Sequence, residues 1–182
     1  MSGSLIKIDE EIVTSAVASV ELGGANWDSS YDVYMVRLNN VTNSSTGAYY
    51  NLYARVLTSG TPQTDSNYDN AHKGLWANGG FQNVSSVNQT SFSISGVGMD
   101  NLGTSESFNG VMYLFNFNNA SEYSFLTVEA SLVNADGQLY GLQGGNVKTT
   151  AEANNGIQFF FSGQNINSGT FSLYGLKKWL MV

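Results

Sequence analysis

Apolar and polar side chains alternate with a period of two along most of the chain, the rhythm of half-buried β-strands. Val13 to Leu22 keeps it up to a Gly23-Gly24 break. From Tyr31 to Leu38, Tyr31, Val33, Met35 and Arg37 fall on one face and Asp32, Tyr34, Val36 and Leu38 on the other. Tyr49 to Leu57 repeats the pattern, with Tyr53 and Arg55 on one side and Ala54 and Val56 on the other. Further strands are expected over Ser91–Val97, Val111–Phe117, Tyr123–Val133, Gly156–Ser162 and Gly169–Leu176. Asp136-Gly137 is a hairpin turn signal between Leu132-Val133 and Leu139-Tyr140. The total is eight or nine strands separated by Gly, Asn and Ser turns, the signature of an all-β, antiparallel β-sandwich of the jelly-roll kind.

The helical period is nearly absent; its best stretch is Thr149–Asn154. Thr58–Thr90 reads as a long irregular segment, and long loops in compact domains commonly carry function. It holds Tyr68, His72, Trp76 and Phe81, which with Trp27 form the expected contact set, because Tyr and Trp give large contact area at low entropic cost. Residues 1–12 read as an extended N-terminal arm before a single domain spanning 13–182. Ile6, Ile8 and Ile12 are its docking side chains, adding an extended segment to a neighbour. At the other end, Trp179 and Leu180 are apolar enough to require packing on the sheet or on another subunit.

Composition narrows the chemistry. The chain has 182 residues and no cysteine, which removes disulfides, thiolate metal sites and cysteine nucleophiles. Lys and Arg number 7 against 14 Asp and Glu, too few to displace counterions along a nucleic-acid backbone. No run reaches the roughly 20 apolar residues of a membrane helix. The first residues lack the apolar core of a cleaved signal, so synthesis in a cytoplasm without export is expected. His72 is the only histidine, in Asp69-Asn70-Ala71-His72-Lys73-Gly74, and reads as a solvated loop residue with no nucleophile motif to serve. Glu129 sits mid-strand without an evident second acid, which leaves glycan cleavage the weakest reading. Asp65-x-Asn67-x-Asp69 has the opening spacing of a calcium loop but lacks its glycine and its closing glutamate. No cofactor is expected.

Several stretches carry a resemblance: Ile6-Lys7-Ile8-Asp9-Glu10-Glu11-Ile12-Val13, Gly110–Phe117, Asn154–Phe161, and above all the ending Gly169-Thr170-Phe171-Ser172-Leu173-Tyr174-Gly175-Leu176. Together they resemble small β-sandwich proteins on the exterior of marine bacteriophage particles, especially phages of cyanobacteria. The resemblance implies a non-enzymatic virion protein, tail-fibre-like or part of a tail appendage, with head decoration as an alternative. It also implies a place on the particle exterior, other virion proteins and copies of itself as partners (a trimer favoured), and a role in host attachment. A lectin-like module is the other reading, with Trp27, Tyr68 and Trp76 stacking on sugar rings.

Overall fold

The alternating segments close into two antiparallel sheets in a computed structural model that describes residues 5–45, 50–97, 106–134 and 137–176. The strands are β1 Leu5–Val13, β2 Ser19–Gly23, β3 Val33–Asn43, β4 Leu52–Thr58, β5 Thr61–Pro62, β6 Tyr68–Trp76, β7 Phe81–Gln89, β8 Phe92–Ser93, β9 Phe108–Phe115, β10 Ser124–Val133, β11 Leu139–Lys148, β12 Gly156–Phe161 and β13 Ile166–Leu176. The larger sheet runs β1-β13-β3-β9-β10-β11-β6-β7. The smaller runs β2-β12-β4-β5, and β8 also pairs with β4. One face of each sheet is apolar and the two apolar faces meet, as burial requires. Val36, Leu38, Met112, Leu114, Leu126 and Val128 line the larger sheet's inner face; Val20, Leu22, Ala54, Val56, Ile157 and Phe159 oppose them, all buried. Phe159 meets Phe171 across the gap at 5.6 Å between ring centres.

Two expectations need correction. Thr58–Thr90 is not a loop: it holds β5 and the long β6–β7 hairpin, in register from Leu75 opposite Phe81 to Tyr68 opposite Gln89. Residues 5–12 are not a free arm, because β1 pairs with β13 from Leu5 opposite Leu176 to Val13 opposite Gly169. A bulge between Lys7 and Asp9 shifts the phase of β1, which leaves Ile8 half-buried while Ile6 and Ile12 stay exposed. Thr149–Asn154 forms no helix; the only helical turn among the described residues is the short Gly24–Asn26. The hairpin read from Asp136-Gly137 is present, with Val133 opposite Leu139 and Leu132 opposite Tyr140.

Two features tighten the β6–β11 region. Gly74 lets the inward Tyr140 ring lie directly on the backbone of β6, where an added Cβ would stand 1.8 Å from the Tyr140 hydroxyl. At the end of β11, the Lys148 side chain is fully enclosed, its ammonium paired with Glu152, which keeps 24% of its side chain in water. The ammonium also stands 6.0 Å from the centre of the Tyr68 ring.

Candidate binding surfaces

The residues expected to form one contact loop are dispersed by the strands that carry them. Tyr68 is fully buried in β6, its ring edge-on to Phe92 at 4.7 Å and its hydroxyl donating to the Gln63 carbonyl at 2.9 Å. Burial pushes its phenol pKa up, so it is a core residue and not a contact. His72 is also inside: alternate β6 residues face inward, and the ring is only 6% exposed. Burial lowers its pKa, with the neighbouring Asn146 amide opposing in part, so the imidazole is neutral at neutral pH. The solvated-loop reading of His72 is therefore wrong.

Trp27 is half-buried at one end of the sandwich. It lies 3.9 Å from the Tyr34 ring and donates Nε1–H to the Asn118 side-chain oxygen at 2.7 Å. The Asn118 amide in turn donates to the Tyr31 carbonyl and to the Tyr34 hydroxyl, both at 2.6 Å. Burial raises Tyr34 to about 12. Trp76 is half-buried against Tyr140 at 4.6 Å. Of the expected contact set only Phe81 stands in the open, 71% exposed, with the Lys73 ammonium 5.3 Å from its ring centre. Trp179 and Leu180 lie outside the described residues.

Asn67 and Asp69 of the calcium-like spacing make contacts within the fold. Asp69 accepts the Asn88 backbone N–H at 2.8 Å, holding the bulge in β7, while the Asn67 amide donates to Thr150 at 2.5 Å. Among the described residues no three His, Asp or Glu side chains gather where they would hold a metal ion. Glu129 is exposed on β10, opposite Val111 on one side and Gln143 on the other, with no acid directly across either ladder. Among the described residues, no helix is long and apolar enough to cross a membrane.

Two concavities flank the β6–β7 hairpin. The first is a trough of about 800 Å³ across the outer face of β10, β11, β6 and β7. Gly145 carries no side chain to fill its floor; Phe125, Ala71, Val147 and Val87 line it. Leu75, Phe81 and Leu139 form a second apolar cluster on the same face, beyond the polar row of Lys73, Asn83 and Gln143, with Leu75 opposite both Phe81 and Gly141. The second is a groove of about 380 Å³ where the β6–β7 hairpin meets β4, β8 and β12. Tyr53 and Phe160 stack on its smaller-sheet side at 5.8 Å, with the Arg55 guanidinium over Phe160 at 4.3 Å. Asn70 and Ser86 enter from the hairpin. Sequence reading had placed Tyr53 and Arg55 on one strand face but had no means of bringing Phe160 and Asn70 to them.

Inside the hairpin end of the sandwich lies a polar stripe. Asn70, His72 and Asn146 are buried, and the Asn70 Oδ1, both His72 ring nitrogens and both Asn146 amide atoms have no protein hydrogen-bond partner. Buried polar atoms are ordinarily paired, so this stripe is where the interior is least satisfied by its own chain. The chain was compared with protein-family models, curated proteins and solved structures, and none of them matches it.

Proposed function

We propose that this chain is a non-enzymatic structural domain of the exterior of a bacteriophage particle, a tail-fibre-like component that assembles through the outer face of its larger sheet. The order of pairing supports a jelly-roll frame. The series β1-β13-β3-β9 packs against β2-β12-β4-β8, each early strand lying beside a late one. That interleaving accords with the double Greek key of jelly-rolls, an architecture used in capsid and lectin domains. The β6–β7 hairpin and β10–β11 then widen one sheet beyond this frame.

The observation that carries the reading is the apolar outer face of that extension, with Leu75, Phe81, Val87, Phe125 and Leu139 exposed on adjoining strands and β7 ending the sheet. These side chains form two exposed apolar clusters at the ends of the face, Leu75 with Phe81 and Leu139, and Val87 with Ala71 and Phe125, on either side of a polar row at Lys73, Asn83 and Gln143, and exposed apolar clusters of this kind mark a contact site. A second copy of the chain is the proposed occupant. The face carries both signs of charge, Lys73 on β6 with Asp69 further along the same strand and Glu129 two strands away on β10, so one copy presents complementary charge to another. A non-enzymatic role accords with the burial of His72 and with the solitary position of Glu129 in its ladder.

The test is antibody labelling of intact particles purified from an infected culture that produces this chain. Label on the particle exterior is expected. Bare particles, with the protein left entirely in the soluble fraction, would overturn the proposal.

A further inference from the structure

The groove between the β6–β7 hairpin and the smaller sheet has the chemistry of a ligand site distinct from the assembly face. Its aromatic wall is Tyr53 and Phe160, paired across β4 and β12 with ring centres 5.8 Å apart and planes 27° apart. Such an apolar platform accepts the C–H face of a sugar ring, while polar groups around it fix orientation. Those polar groups are present and partly unspent. Asn70 is only 7% exposed; its amide nitrogen donates to the Ser86 hydroxyl, and its oxygen has no protein partner. The Tyr53 hydroxyl accepts from the Asn51 amide at 3.2 Å, which leaves its own proton available. The Ser91 and Ser93 hydroxyls line the same groove.

Charge then selects among sugars. The protein as a whole carries a net charge of −7. Among the described residues the groove, by contrast, is lined by one cation, Arg55, and by no carboxylate. Arg55 is held in place twice: its Nε–H donates to the Thr90 carbonyl at 3.0 Å, and its guanidinium carbon stands over the Phe160 ring at 4.3 Å. Its remaining N–H donors have no partner among the described residues, and a fixed guanidinium fork is the side chain best suited to binding a carboxylate or sulfate with two parallel hydrogen bonds.

We propose that this groove binds an acidic saccharide, the sugar ring on Tyr53 and Phe160, its anionic group on Arg55 and its hydroxyls on Asn70 and the groove serines. Its ring and cation residues, Tyr53, Arg55 and Phe160, lie on the smaller sheet, apart from Leu75, Phe81 and Val87 of the assembly surface, so the two readings fail separately: a chain that assembles but binds no acidic sugar refutes only this one.

Isothermal titration with three probes tests it: an oligogalacturonate, a sulfated galactan oligosaccharide and a neutral oligogalactan. Binding of at least one acidic probe is expected, with the neutral one bound at least about tenfold more weakly, a loss of about 1.4 kcal/mol. Arg55→Gln is expected to erase that preference, and Arg55→Lys to restore only part of it. Phe160→Ala is expected to weaken every bound probe, with circular dichroism confirming that each variant keeps its strands. Failure of both acidic probes to bind the intact chain, equal affinity for acidic and neutral probes, or an unaltered preference in a folded Arg55→Gln chain would overturn the assignment.

Discussion

The enclosed Lys148–Glu152 pair gives the sharpest stability test of the fold. The Lys148 side chain has no solvent exposure, while Glu152 retains 24%. Replacing Glu152 with Ala strands an ammonium in the core beside Tyr68. Removing one member of a buried pair typically costs 3–5 kcal/mol. Because water reaches Glu152 and can follow into the vacated space, the lower end applies, about 3 kcal/mol. For a chain of this length, each kcal/mol moves the melting temperature by about 2–4 °C, so a fall of roughly 6–12 °C is expected. Lys148→Met removes the charge that needs the partner and leaves a carboxylate able to hydrate, so a smaller loss of about 1–2 kcal/mol is expected. The double variant Lys148→Met/Glu152→Leu buries no charge and should recover most of the Glu152→Ala loss. The assay is urea unfolding followed by circular dichroism, read as a double-mutant cycle. If Glu152→Ala lies within about 0.5 kcal/mol of the parent, or the double variant is no better than Glu152→Ala alone, the pair does not anchor β11 as described.

Two further outcomes are expected. Asn118→Ala removes one acceptor from Trp27 and the donor to Tyr31 and Tyr34, so thermal unfolding should show a loss of roughly 2–3 kcal/mol, whereas an unchanged melting point would mean that water replaces the clamp without cost. His72 has a folded pKa below its ordinary 6.5, so the unfolded chain takes up the proton first and stability falls as pH drops below that value, levelling off beneath the folded pKa. A His72→Asn chain should lose this part of the acid sensitivity when unfolding free energy is measured from about pH 7 to pH 5, and an identical slope in both proteins would place the titration elsewhere.

The sandwich was legible wherever one strand face is purely apolar. β4, β9 and β12 satisfy that condition, β3, β10 and β13 do so over most of their length, and the Asp136-Gly137 signal located the β10–β11 hairpin. The β6–β7 hairpin was missed because its inner face carries Asn70, His72 and Ser86 where apolar side chains normally stand, and its outer face mixes Ala71 and Val87 with Lys73, Asn83 and Ser85. The turn at Asn78-Gly79-Gly80 was the available signal, with Gly79 at a positive φ of 90°. β1 was misread as an arm because its bulge breaks the alternation between Ile8 and Val13. The groove was beyond sequence reading: Tyr53, Asn70, Ser91 and Phe160 come from four different strands or connections and meet only through sheet order.

Assembly through the larger sheet is tested most directly by sedimentation equilibrium of the full chain beside a Leu75→Ser/Phe81→Ser/Val87→Ser variant. These three side chains are 47%, 71% and 64% exposed, so their replacement should leave the fold intact by circular dichroism. The parent is expected to sediment at a whole multiple of its 19.6 kDa chain mass and the variant at the mass of a single chain. A parent that stays a single chain at every concentration, or a folded variant that keeps the parent's mass, would contradict an assembly role for this face.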